Sequence, residues 1–255
     1  MDRGLLSIVF AIGLFVGMVV LLELGRRLGR RRRGTDEDGV RAGLGAVEGA
    51  VFALLGLLIA FTFSGAAARF DTRRLQIVDE ANAIGTAWLR LDLLPAAAQP
   101  ELRELFRRYL DLRLNAYQKF PDVEAVRAEL ARATALQGEI WTRAVAGAQQ
   151  TPNAVVAQLI PALNEMFDIA SSRTAAPRMH PPAIVFIMLG ALALLSSLLA
   201  GHAMAGEKTW SWLHAVAFAA FVASATYVIL EIEFPRRDSF ASPPSTRSWS
   251  ISETA

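Results

Sequence analysis

Few side chains in this sequence are placed to do chemistry. Three histidines occur, His180, His202 and His214, and cysteine is absent. That absence excludes disulfides, thiolate metal ligands and a cysteine nucleophile. His202 and His214 can lie near one another with Glu207 between them, but a metal site needs third and fourth ligands at controlled geometry. The sequence offers no such set, so no metal or cofactor is assigned. Glycine-rich phosphate loops, a His-Glu-x-x-His pair and a nucleophile elbow are all missing. Carboxylate pairs occur at Asp79-Glu80 and Glu231-x-Glu233. Adjacent helical residues point apart, so the first is a poor acid/base dyad. No catalytic residue is named, and the sequence reads as a non-enzyme. More informative is Glu48, in the first turn of a long apolar block. A carboxylate there gains from the helix N-terminus, and an ionisable residue inside such a block is a functional candidate. The run Ala81–Ala87 is rich in small residues that suit close helix contact, with Glu80 and Asn82 as polar partners.

The elements that position these residues follow from where the apolar residues sit. Of 255 residues, 53% are hydrophobic, against about 45–50% in ordinary soluble domains. The excess is concentrated in four blocks: about 4–25, 46–68, 183–205 and 210–230. About 20 apolar residues cross a ~30 Å hydrocarbon core as a helix. The first block is too long for a cleaved leader, has Asp2 beside Arg3, and is followed by arginines; it reads as a retained span. Pro181-Pro182 stand at the entrance to the third span, where proline is tolerated. Trp210, Trp212 and Tyr227 lie near the ends of the fourth, at headgroup level. The net charge of +2 gives no reason to expect nucleic-acid binding.

Between the second and third spans every segment reads as helix. Residues 69–94 continue the second span without a breaker until Pro95. Pro100 precedes a helix with Leu102, Leu105, Phe106, Tyr109 and Leu112 on one face. Asp122 caps a third, with a stripe of Val123, Val126, Leu130, Ala133 and Ile140. Thr151-Pro152 reads as cap and first-turn proline of a fourth, with a stripe of Val156, Leu159, Leu163, Met166 and Ala170, and Pro161 kinks it. Strand signals are missing. The fold class is all-α: four transmembrane helices with a helical domain inserted between the second and third. The divisions are 1–45 (first span and arginine-rich loop), 46–68 (second span), 69–180 (helical domain), 181–234 (third and fourth spans) and 235–255. The last segment, rich in Ser, Pro, Arg and Thr, reads as a disordered tail.

Leu57-Leu58-Ile59-Ala60-Phe61-Thr62-Phe63-Ser64-Gly65-Ala66, then Arg69-Phe70-Asp71 and Glu80-Ala81-Asn82-Ala83-Ile84-Gly85-Thr86, resembles the bestrophin-like domain family, mostly bacterial membrane proteins. Leu91-Asp92-Leu93-Leu94-Pro95, Tyr109-Leu110-Asp111-x-Arg113 and Glu231-Ile232-Glu233-Phe234-Pro235-Arg236 are similar to it as well. The resemblance spans about residues 45–237. Through the more distant bestrophins it implies a homo-oligomeric, pentameric anion channel in the lipid bilayer, passing chloride or other small anions. The bestrophin neck, three apolar residues four apart on the second span, would fall on Ala53, Leu57 and Phe61, followed by Thr62, Ser64 and Arg69. Ala53 is smaller than the residue usual there, which implies a wider upper constriction. Pore-lining candidates are therefore Ala53, Leu57, Phe61 and Ser64; the candidate polar motif is Glu48, Arg69, Asp71, Glu80 and Asn82. The alternative is a non-conducting membrane protein whose helical domain binds a partner or senses envelope conditions.

Arg26, Arg27, Arg30, Arg31, Arg32, Arg33 and Arg41 crowd the short loop between the first two spans. Short loops dominate the positive-inside rule, because long domains translocate largely regardless of charge. The reading is a cell inner membrane protein with the arginine loop in the cytoplasm and the helical domain outside, opposite to bestrophins. In this cysteine-free chain, a cysteine placed at Gln149 is expected to react with an impermeant thiol reagent in intact cells, and one placed at Thr35 to stay unlabelled. The reverse pattern would overturn the orientation.

Overall fold

The computed structural model describes residues 3–32, 38–119, 122–149, 151–176, 180–206 and 212–234. Seven α-helices fill it: α1 Arg3–Arg32, α2 Asp38–Arg90, α3 Gln99–Gln118, α4 Val123–Ala148, α5 Asn153–Ala175, α6 Ala183–Ala203 and α7 Trp212–Glu233. No strand occurs among the described residues. Four of the helices are long and apolar enough to cross a membrane: Leu5–Arg31, Gly45–Leu93, Ala183–Ala203 and Trp212–Glu233. The tail expected to be disordered lies outside the described residues, as do Glu207, Trp210 and Arg33; Arg26, Arg27, Arg30, Arg31 and Arg32, expected in a loop, instead continue α1, and Arg41 lies on α2.

The described residues form two compact units. One comprises those of Met1–Asp71 and His180–Arg236, the other those of Thr72–Met179. In the first unit α1 runs against α6 and α7. Its core joins Leu14, Met18 and Leu22 of α1 to Leu189 and Ala193 of α6 and Ala219, Val222 and Ile229 of α7. From α2, Leu55 and Ala66 enter this core, and Phe52 meets the Phe218 ring edge-on at 5.9 Å. Lipid tails give apolar helices no net reason to separate from them, so close packing has to come from small residues. Gly25 and Gly201 supply it. A Cβ at Gly25 would stand 2.0 Å from the Leu198 carbonyl oxygen, and one at Gly201 1.9 Å from that of Leu22. Hydroxyls in these helices satisfy themselves locally: Thr62 donates to the Leu58 carbonyl at 2.7 Å, Ser197 to Ala193 and Thr226 to Val222, both at 2.9 Å.

In the second unit the C-terminal part of α2 packs with α3, α4 and α5 around Ala83, Ala87, Leu91, Phe106, Tyr109, Ile140, Leu159, Leu163 and Met166. α2 passes into a 3-10 turn, Leu91–Leu93, just before Pro95. Asp122 caps α4, its Oδ1 accepting from the Ala125 N–H at 3.0 Å. Two local expectations are corrected. Thr151 does not cap α5; its hydroxyl donates backwards to the Ala148 carbonyl at 2.6 Å, and Pro152 holds the N-cap position. The buried stripe of α4 is Glu129, Ala133, Leu136, Ile140 and Ala144, while Val123 is exposed and Val126 and Leu130 half-buried. Small residues and a paired carboxylate complete that face, and a count of large apolar residues passes over both. Pro161 sits inside α5, which continues through it.

The glycine crossing gives a measurable consequence. Gly25→Ala and Gly201→Ala force a Cβ into a neighbouring backbone and are expected to destabilise the protein by about 1–3 kcal/mol each. Gly13→Ala, where nothing lies within 4 Å, is expected to leave stability unchanged or slightly raised. Unfolding of the three variants in detergent checks this.

Candidate functional site

Nearly all the candidate residues lie on α2, and the helix sorts them by face. Residues 53, 57, 61 and 64 fall three or four apart, so they share one stripe. Ala53, Leu57, Phe61 and Ser64 are all exposed, Leu57 by 50% and Phe61 by 67%. Thr62 is turned off this face and half-buried. The glycines and small residues beside the stripe, such as Gly49, Gly56 and Ala60, are exposed too. Of the four candidate spans the second is the least covered within the chain: 11% of its most apolar window is buried, against 22–39% for the others. Glu48 is not in the first turn of its helix as expected, since α2 already begins at Asp38, so the helix N-terminus does not stabilise it; half-buried, it stands 3.9 Å from His202 Nδ1.

Arg69 does not stand free after the stripe. Its guanidinium grips Glu233 at the end of α7, with Nη2 donating to Oε2 at 2.7 Å and Nε to Oε2 at 3.0 Å. His180 Nδ1 lies 3.2 Å from Glu233 Oε1, and the His180 ring rests 4.5 Å from that of Phe234. The Glu233 side chain is fully buried. Gly65, one turn before Arg69, leaves room for the guanidinium: a Cβ there would lie 3.2 Å from Nη1. A two-point guanidinium–carboxylate contact is the strong form of such a pair, and here it fastens the second span to the fourth.

The second unit holds a separate cluster. Glu80 is fully buried. Its Oε1 accepts from Arg113 Nε of α3 at 2.6 Å, and its Oε2 from Arg173 Nη1 of α5. The Arg173 guanidinium also lies over the Tyr117 ring at 4.4 Å. Arg113 is 5% exposed. Burial works most strongly against its charge, but the bond to Glu80, the Glu80 charge and the neighbouring Tyr117 and Tyr109 together outweigh it and hold the group above the usual arginine range. Tyr109, buried beside it, is pushed up by burial and stays a neutral phenol, meeting Gln137 at 3.2 Å. A cavity of about 300 Å³ opens next to Arg113 between α3, α4 and α5. Asp71 and Asn82 are exposed and join neither cluster. Among the described residues no group of three or more His, Asp or Glu side chains is placed to hold a metal ion.

Sequence reasoning named Arg113 and Glu233 only within motifs or a carboxylate pair, not as site residues, and missed Arg173 altogether, yet a signal existed. Arg173 lies three residues after Ala170, so the apolar stripe of α5 runs directly onto it. Glu80, Arg113 and Glu233 extend the stripes of α2, α3 and α7 in the same way.

The bestrophin-like domain model matches residues 11–245. The chain belongs to that family. The match includes most of the first span as well as the motifs on α2, α3 and α7. No curated protein and no solved structure matches the chain. Family membership and four long apolar helices together make this a multi-pass membrane protein in contact with the lipid bilayer.

The buried cluster predicts a contrast between two glutamates. Glu80→Gln leaves two buried guanidiniums without a counter-charge and is expected to cost about 3–5 kcal/mol of stability. Glu104→Ala removes an exposed pair to Arg107 at 3.8 Å and is expected to change stability by less than about 1 kcal/mol. Denaturation monitored by circular dichroism distinguishes them.

Proposed function

We propose that the protein is a homo-oligomeric anion channel whose axis is lined by the second spans. The observation that carries the reading is the uncovered stripe of α2: Leu57 and Phe61 are large, apolar, one turn apart and largely unpacked within the chain. Copies arranged about an axis, five by the analogy with bestrophins, would bring these side chains into two hydrophobic rings. Narrow apolar rings gate by dewetting, since water and ions leave such a bore. Ser64, a turn beyond, would offer a hydroxyl where the bore turns polar. Chloride or another small anion is the permeant species in this reading, and no catalytic step is involved. The cytoplasmic placement of the arginine loop, in an inner membrane, completes the proposal.

A second reading has its own support. A non-conducting protein could use its helical domain to bind a partner or sense envelope conditions, and the buried cluster with its adjoining cavity in Thr72–Met179 favours such a role.

The double variant Leu57→Ala, Phe61→Ala separates the two. As a channel constriction it widens the bore, and chloride flux into reconstituted vesicles is expected to rise. If these side chains only fill packing within an assembly, the change lowers thermal stability with no chloride flux before or after. That silent, destabilised result would retire the channel reading.

A further inference from the structure

The Glu80 cluster is not electrically balanced. Two guanidiniums, Arg113 and Arg173, share one carboxylate, and among the described residues neither has another acid within ion-pair distance. Buried charge without a partner is costly, so a net positive charge in a helical core asks for a counter-ion. Arg113 shows where it would sit. Its five N–H groups have two acceptors among the described residues: Glu80 Oε1 for Nε, and the Thr174 hydroxyl, at 3.4 Å, for Nη1. Nη2 has none, on a side chain that is only 5% exposed and lines the cavity of about 300 Å³.

The rest of the lining fits an organic anion. No acidic residue contributes to it. Thr134, Gln137 and Ser171 bring neutral polar groups, and Leu130 and Ala170 bring apolar surface. The buried Tyr109 hydroxyl accepts from Gln137 Nε2 at 3.2 Å. The volume exceeds what chloride or phosphate alone would fill and stands at the lower end of small-molecule pockets.

We propose that this cavity binds a small carboxylate with an apolar body, its head on Arg113 Nη2 and its chain against Leu130 and Ala170. The carboxylate neutralises the surplus guanidinium charge, so binding stiffens the junction of α3, α4 and α5. The site does not depend on conduction and stands if the vesicles prove silent to chloride.

The test is calorimetric titration of the full-length protein in nanodiscs with sodium butyrate, at constant chloride, with n-butylamine as the cation of matching shape. Butyrate is expected to bind and n-butylamine not. Arg113→Gln removes the head-group contact, and Thr134→Phe fills the cavity from its exposed edge without touching the ion cluster. Each is expected to weaken butyrate binding at least tenfold. If Arg113→Gln fails to fold, Thr134→Phe decides alone, because its residue lies outside the Glu80 cluster. No heat with butyrate at millimolar concentration, equal binding of the amine, or unchanged affinity in folded Thr134→Phe would each overturn the proposal. Displacement of butyrate by an equal concentration of chloride would do so too, reducing the site to one for inorganic anions.

Discussion

One helix carries both halves of this chain, and the demands on its two halves differ. Inside hydrocarbon a backbone must satisfy its hydrogen bonds internally, so the apolar part of α2 has no alternative to helix. The sequence then continues without proline or a strong turn signal to Arg90, and the helix continues with it. Each half is fastened by a charged contact. Arg69 holds the first half to α7 through Glu233, and Glu80 holds the second to α3 and α5 through Arg113 and Arg173. These contacts are expensive to form because both carboxylates are fully buried, and more expensive to half-remove. Apolar contact alone would allow a helix to rotate or slide by a turn. A two-point guanidinium contact fixes its rotation, which is how α2 comes to present Leu57 and Phe61 outward rather than into the core.

The two units solve packing differently. In the first, α1 and α6 approach through Gly25 and Gly201 until backbones touch, since small residues and dispersion replace the hydrophobic effect there. In the second, large side chains such as Phe106, Tyr109 and Ile140 fill a core of the kind found in soluble bundles. Removing these from water is worth roughly 1.5–3 kcal/mol each, enough to carry a buried ion cluster and an adjoining cavity.

Much of this was legible in the sequence. Hydropathy located all four spans, because length and apolar content are what a bilayer selects. The stripes of α3 and α5 were read correctly, since Leu102, Phe106 and Tyr109, or Leu159, Leu163 and Met166, are large and regularly spaced. The stripe of α4 was read correctly at Ala133 and Ile140 but not at Val123, Val126 and Leu130, because the other buried positions, Ala144, Gly147 and a paired Glu129, are small or charged and carry little hydropathy signal. Thr151 looked like a cap by type, yet the preceding helix claimed its hydroxyl. Glu80 was visible as a polar residue among small ones. Its partners lie 33 and 93 residues away, and pairing at that distance is decided by tertiary packing. The clue that was available, a charge standing at helical spacing on an apolar stripe, marks Arg113, Arg173 and Glu233 alike.

Conduction along the second spans requires that the open face of α2 meet other copies of itself around an axis. The mass of the full-length protein in mild detergent, measured by light scattering with the detergent contribution subtracted, tests this most directly. A channel lined by the second spans is expected to appear as one species of about five chains that persists on dilution. A monomer or simple dimer would leave Leu57 and Phe61 facing lipid and contradict it.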